Sequence, residues 1–256
     1  MADVLVERPS DAIAIVRLNR PEVRNALNLS IRQELAEIFR TLADDTTLRC
    51  VVLTGDSKSF AAGADIADMA RIDAIEMYHR HTERLWAAVG ECPVPVIAAV
   101  NGFALGGGLE LAMHADIIIA GKGAKLGQPE VKVGIMPGAG GTQRLTRAVG
   151  KFRAMCMCLT GEIITAPEAF EMGLISKLVE DDAVFDTALA MAEAIAKLPP
   201  IAVAQIKEVI LAGADAPLSA ALALERKAVQ VLFASKDKAE GMAAFLEKRK
   251  PTFTGE

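Results

Sequence analysis

Pro95-Val96-Ile97-Ala98-Ala99-Val100-Asn101-Gly102-Phe103-Ala104-Leu105-Gly106-Gly107-Gly108-Leu109-Glu110-Leu111-Ala112 reads as a buried strand, a glycine-rich turn and a helix that starts near Gly107. The apolar run at 96–100 offers no polar side chain to water, which is the pattern of a strand covered on both faces. Three consecutive glycines permit a sharp turn and leave backbone N–H groups pointing outward at a helix start, an arrangement that suits an oxyanion. The same strand and helix order surrounds this stretch. Residues 12–18 and 50–55 read as strands, and Asn19-Arg20-Pro21 ends the first because proline removes a ladder donor. In 30–42, Ile31, Leu35, Ile38, Phe39 and Leu42 recur at helical steps, with Ser30 as the expected cap. A helix is expected over roughly 66–89 and a strand over 116–120. Strands that alternate with helices and read as continuous apolar runs predict a mostly parallel α/β fold. Pro199-Pro200 marks a change of character, and 201–212, 217–234 and 237–248 look helical and alanine-rich. Residues 1–200 are therefore expected to form an α/β core carrying the active site, and 201–256 a helical C-terminal region.

Composition narrows the function. Of 256 residues, 52% are hydrophobic and 24% charged, which supports a real core and argues against disorder. Aromatics are only 4%, so the core is expected to be mostly aliphatic. The net charge of −5 comes with no basic stripe beyond Lys248-Arg249-Lys250, so a nucleic-acid partner is not expected. Cys156 and Cys158 form a C-x-C pair without a nearby histidine, which is neither a zinc nor a redox spacing. With Cys50 and Cys92 they read as buried thiols of a reducing compartment. His79, His81 and His114 read as surface or satisfied core histidines. Met1-Ala2-Asp3-Val4 carries no basic-then-apolar leader, and prolines, glycines and Glu110 interrupt the low-charge stretch 92–113. No membrane association is expected, and the cytoplasm is the expected location.

Three segments carry chemistry. Phe60-Ala61-Ala62-Gly63-Ala64-Asp65 combines small residues with a helix start, so a ligand can approach the backbone closely. The glycines of 106–108 and 138–141 fit neither the phosphate-loop pattern nor the dinucleotide fingerprint, which disfavours nucleotide hydrolysis and NAD binding. Glu110 is the only charged residue between Glu91 and Asp116, and it is flanked by Leu109, Leu111 and Met113. Burial raises the pKa of such an acid and a helix N-terminus lowers it, so it is a candidate for proton transfer near neutral pH. Glu130, in a turn bounded by glycine and proline, supplies a second acid and completes a plausible acid/base pair.

The whole set resembles the enoyl-CoA hydratase (crotonase) family along essentially the full chain. The matching stretches are Asn19-Arg20-Pro21 with Asn25-Ala26-Leu27, FAAGAD at 60–65 and PVIAAVNGFALGGGLELA at 95–112. They continue with GQPEVKVGIMPGAGGTQRL at 127–145, Leu159-Thr160-Gly161 and FLEKRKPTF at 245–253. The resemblance implies a spiral of ββα units with a helical C-terminal oligomerisation region, packed as trimers that pair into hexamers. It implies reversible hydration of a trans-2-enoyl-CoA to a 3-hydroxyacyl-CoA, the lyase step of fatty-acid β-oxidation and of related routes. The amides of Ala64 and Gly107 would form the oxyanion hole, and Glu110 and Glu130 would handle the protons. Ala62, Ala64, Asp65, Ile66, Ala67, Gly107 and Gly138 would contact substrate and its CoA. Lys248 would meet a CoA phosphate across a subunit boundary, with Arg24 as a second candidate. Ala67 departs from members that carry lysine there. Neither a metal nor a redox cofactor is implied; coenzyme A enters as part of the substrate. The alternatives are a Δ3-Δ2 enoyl-CoA isomerase of the same fold and an RNA-binding relative.

Overall fold

In the computed structural model, which describes residues 2–256, the apolar runs become strands. They are β1 (Val4–Ser10), β2 (Ile13–Leu18), β3 (Cys50–Thr54), β4 (Ser59–Ala61), β5 (Val96–Val100), β6 (Phe103–Leu105), β7 (Ile117–Gly121), β8 (Lys125–Gly127), β9 (Ile163–Thr165) and β10 (Lys177–Val179). The helices are α1 (Leu29–Ala43), α2 (Ile66–Met69), α3 (Ala74–His79), α4 (Thr82–Gly90), α5 (Gly107–Ala112), α6 (Gly141–Val149), α7 (Lys151–Thr160), α8 (Ala166–Glu171), α9 (Val184–Ala196), α10 (Pro200–Ala214), α11 (Leu218–Leu232) and α12 (Lys236–Leu246).

One sheet has the order β1-β2-β3-β5-β7-β10, and a second has β4-β6-β8-β9. Successive units β3-β4, β5-β6 and β7-β8 each give one strand to each sheet before a helix follows, so the chain winds as a spiral of ββα turns. The pairings are parallel except β1–β2 and β8–β9. Side-chain alternation assigns the two faces of the larger sheet. Cys50, Val52, Ile97 and Ala99 pack with Val184, Ala188 and Ala192 of α9. Val51, Leu53, Val96 and Ala98 join the larger core with Phe39, Phe60, Leu109 and Leu111. Covering both faces explains why β3 and β5 contain no polar break apart from the terminal Thr54.

Several expectations change at the level of local structure. The cap of α1 is Asn28, not Ser30; its side chain accepts from Ile31 N at 2.9 Å. The single helix expected at 66–89 is three helices. Asp73 caps α3 by accepting from Glu76 N at 2.8 Å, and His81 adopts a left-handed φ of 44° before α4. Cys50 and Cys92 are buried, whereas Cys156 is exposed on α7 and Cys158 is half-buried. The expected C-terminal helices appear as α10, α11 and α12. Lys207 of α10 clasps the core by donating to Asp116 Oδ2 at 2.6 Å and Val94 O at 3.0 Å. The chain end folds back onto buried Asp237, which accepts from Thr254 N at 2.7 Å and Gly255 N at 2.9 Å. No single helix among the described residues is long and apolar enough to cross a membrane.

The placement of α5 depends on two glycines. Gly106 turns the chain with φ 49°, ψ −123°, a region open to glycine and strained for other residues. Gly108 lies against β4 so closely that a Cβ there would stand 2.0 Å from the carbonyl oxygen of Ala61. Gly108→Ala is therefore expected to destabilise the fold by about 1–3 kcal/mol through overpacking, with Tm falling roughly 2–4 °C per kcal/mol. Gly213→Ala serves as the comparison. Its Cβ would meet only Ala221 Cβ at 3.4 Å, so a shift within about 1 kcal/mol is expected. Equal melting temperatures for wild type and Gly108→Ala would contradict the close contact between α5 and β4.

Candidate active site

The close approach of α5 to β4 brings two loop amides together. A Cβ built on Gly107 would lie 3.6 Å from the amide nitrogen of Ala64. Gly107 is the first residue of α5, where an N–H has no acceptor within the helix. Ala64 sits in a bridge with Leu27, but the bonds of that bridge run from Leu27 N to Gly63 O and from Asp65 N to Leu27 O. Among the described residues, neither the Ala64 nor the Gly107 amide has an acceptor. Two free donors side by side can bind one oxygen atom that gains negative charge.

One turn further along α5, Glu110 is 3% exposed. Its Oε1 accepts from Ala139 N at 2.7 Å and Gly141 N at 2.8 Å, so the loop leading into α6 holds the carboxylate. A Cβ on Gly141 would stand 2.8 Å from that oxygen, which leaves room there only for glycine. The other oxygen, Oε2, lies on the Gly107 side, where a Cβ on that glycine would be 4.0 Å away. Burial raises the Glu110 pKa, and the two amides pull it back, followed by the more distant Arg32 charge.

Glu130 stands in a one-turn 3-10 helix at Pro129–Val133 and is half-buried, not the solvated loop acid that a turn position suggests by default. Its Oε1 would be 3.0 Å from a Cβ on Gly106. The buried Gln128 amide, oriented with its nitrogen toward Glu130, donates to the two carboxylate oxygens at 2.8 and 3.1 Å. Burial pushes the Glu130 pKa up to about 7, and the neighbouring Glu110 charge adds to the rise. Two acids of unequal environment thus face one space.

That space is a cavity of about 640 Å³, lined by Ala62, Ala64, Ile66, Gly107, Glu110, Glu130 and Gly138 among others. Other expected contacts lie elsewhere. Asp65 and Ala67 line a neighbouring cleft with Asp68, Arg71 and Arg80. The Asp65 carboxylate caps α2, accepting from Ala67 N at 3.1 Å and Asp68 N at 3.4 Å. Arg24 lies outside the cavity, beside Lys58 and Asp56, with its guanidinium 5.3 Å from the Phe103 ring centre. Lys248 is exposed beyond α12 and does not line the cavity within one subunit.

The sequence reading missed Arg32, Met69, Met77, Trp86, Gln128 and Met136, all of which line the cavity or contact its acids. Arg32 carried one signal, a charge directly beside the buried Ile31 of an amphipathic helix. His114 is a satisfied core histidine. Its Nδ1 is 2.8 Å from Glu110 O, its ring stacks on Trp86 at 5.6 Å, and burial lowers its pKa to about 4. His79 is exposed and His81 half-buried. A larger hollow of about 780 Å³ lies under α10 and shares Trp86 and Gly138 with the site, but neither acid lines it.

This geometry can be set beside proteins already described. The chain is 42% identical to the 2,3-dehydroadipyl-CoA hydratase of Escherichia coli, over 100% of both chains. It is 43% identical to the mitochondrial enoyl-CoA hydratase of Pongo abelii, over 95% of this chain and 84% of that one. The crystal structure of an enoyl-CoA hydratase from Bacillus anthracis superposes with a TM-score of 0.95 at 38% identity, covering 100% of both chains. The family model described as enoyl-CoA hydratase/isomerase matches residues 8–256. The ββα spiral, the paired free amides and the two acids on one cavity therefore stand in a chain that belongs to the enoyl-CoA hydratase/isomerase family.

Proposed function

We propose that the protein adds water reversibly across the double bond of a trans-2-enoyl-CoA thioester, giving the 3-hydroxyacyl-CoA. The observation that carries this reading is the convergence of two acceptor-free amides, buried Glu110 and half-buried Glu130 on one cavity, with burial raising the pKa of both acids. Water attacks Cβ, and the electron pair of the double bond moves to the thioester oxygen. The Ala64 and Gly107 amides receive the developing charge with no side chain to reorganise. Glu110, fixed through Oε1, takes a proton from the attacking water on Oε2. Glu130 delivers its own proton to Cα. The water is thus divided into a hydroxyl on Cβ and one proton on Glu110, while Cα gains the Glu130 proton. Proton exchange with solvent restores both acids. An isomerase needs one proton shuttle, so the retention of both acids favours hydration.

Residues 1–200 are read as the core with its site, and 201–256 as the packing region of a trimer that pairs into a hexamer. The support is apolar surface left open on the C-terminal helices, where Leu218 is 73%, Phe233 61% and Phe245 83% exposed. Lys248 is read as a phosphate contact reached from a neighbouring subunit, and Arg24 as a secondary one. The buried free thiols of Cys50 and Cys92 support a reducing, cytoplasmic setting.

Glu110→Gln and Glu130→Gln keep size and hydrogen bonding while removing the proton function. Each is expected to lower kcat for crotonyl-CoA hydration, followed by loss of enoyl absorbance, by roughly 10²–10⁴. The double variant is expected to lose less than the product of the two, because the acids act as a unit. Glu110→Gln should spare isomerisation of a 3-enoyl-CoA more than it spares hydration. Normal hydration by Glu110→Gln together with lost isomerisation by Glu130→Gln would point to the isomerase instead.

The pH profile carries an independent expectation. Glu130 must be protonated to donate, so hydration should decline as pH rises through about 7. The decline should disappear in Glu130→Gln, and a limb of the same position in that variant would remove Glu130 from the proton path.

Assembly has its own measurement. Light scattering is expected to give six times the 27.1 kDa chain mass. Lys248→Ala is expected to raise KM far more than it lowers kcat, and added salt to act in the same direction. A monomer in solution, or an unchanged KM, would contradict this part of the reading.

A further inference from the structure

Arg32 is the one cation of the cavity lining with an unspent guanidinium. It projects from the first turn of α1, and its centre lies 5.6 Å from the Trp86 ring. Nη2 donates to Leu27 O at 2.9 Å. Nε is buried with no hydrogen-bond partner, alone in this respect among the described side chains. Nη1 has no acceptor within the described residues, and no carboxylate lies within 4 Å of the group.

The nearby acids are already engaged. Asp68 takes both Arg80 nitrogens at 2.9 and 3.3 Å. Asp65 caps α2 and stands 3.6 Å from Arg20. Glu110 gives Oε1 to two amides. The other cation of the lining, Lys132, is on the side of the cavity that leads to Gly161 and α7. Arg32 shares the cavity lining with Met69, Met77, Thr82 and Trp86, and its guanidinium lies over the Trp86 ring. A cation in such surroundings is costly for packing alone, since an aliphatic side chain would fill the same space without desolvating a charge. Burial lowers its pKa, as expected for a cation lacking a contact partner. A planar guanidinium with a free edge matches a carboxylate better than any neutral group.

We propose that Arg32 binds an anionic far end of the acyl chain, so that the preferred substrate is a 2-enoyl-CoA ending in a carboxylate. This rests on the hydratase reading of the same site. Glu110 marks where Cβ reacts, and Arg32 lies close enough for its charge to act on Glu110. The anion is therefore a short way down the chain from the double bond.

The test measures kcat/KM for crotonyl-CoA, trans-2-hexenoyl-CoA and the hexenoyl analogue bearing a terminal carboxylate. Wild type is expected to prefer the carboxylate-ended thioester over hexenoyl-CoA by about 10–10²-fold, the range of a single charge-assisted hydrogen bond. In Arg32→Met that ratio should collapse to about parity or invert, and in Arg32→Lys it should fall to an intermediate value because the planar fork is lost. A wild-type enzyme that hydrates both six-carbon thioesters equally, or prefers the neutral one, overturns the proposal whatever the variants do. So does an Arg32→Met variant that lowers both substrates by the same factor, which would make Arg32 a tuner of Glu110 or a CoA contact. Failure to hydrate any of the three thioesters would instead strike the hydratase reading.

Discussion

The active-site geometry depends on a contact that only a residue without Cβ permits, the seating of the first turn of α5 on the backbone of β4. Gly108 lies where a Cβ would be 2.0 Å from Ala61 O, so the helix and the strand approach to backbone distance. The same approach sets the Gly107 amide beside that of Ala64, although the two residues come from different turns of the spiral. Parallel pairing of β4 with β6 holds the two loops in register. The pairing of two free amides is therefore a by-product of how successive ββα units stack. Its donors cost no side-chain ordering, because their directions are fixed by the sheet and the helix.

A second constraint is the burial of a carboxylate. Glu110 loses most of its hydration, which alone would neutralise it. The amides of Ala139 and Gly141 return part of that stabilisation to the ionised form through one oxygen. The division of labour within the carboxylate follows from this, since Oε1 is held and Oε2 faces the cavity. Gly141 has to be glycine for the same reason that its amide can reach the acid. Burial raises both pKa values, but two backbone amides pull that of Glu110 back, whereas the Glu110 charge adds to the rise at Glu130, which is pushed up to about 7. Two chemically identical side chains thus sit in unequal environments, the condition for an acid/base pair.

The wall of the cavity around Trp86 is decided by side chains that belong to none of the glycine-rich motifs. Trp86 of α4 separates this cavity from the hollow under α10, with His114 stacked on its other side. Arg32 approaches the indole from α1. Arg32 and Trp86 come from two helices and His114 from the turn after α5, and the breaks that divide 66–89 into α2, α3 and α4 set the angle at which Trp86 enters. A continuous helix over that stretch would carry its side chains along one axis and leave a different wall.

The family resemblance named the amides of Ala64 and Gly107; the sequence by itself determined the strands near 12–18, 50–55, 96–100 and 116–120, the glycine turn and the acid pair. Each of these is a local property: apolar runs for strands covered on both faces, consecutive glycines for a turn, an acid among leucines for a buried carboxylate. The C-terminal helices were legible for the same reason. The tertiary structure decided what depends on the distance between segments far apart in the chain. It moved the cap of α1 from Ser30 to Asn28, because the first turn begins two residues earlier than the apolar period suggests. It removed Asp65, Ala67 and Arg24 from the cavity, because one-residue steps in a loop turn neighbouring side chains to different spaces. It placed Arg32 in the cavity, a position no local pattern encodes, since the orientation of α1 is set by what packs on its other face. Hydrophobic periodicity tells which side of a helix is buried; only the packed fold decides what that side is buried against.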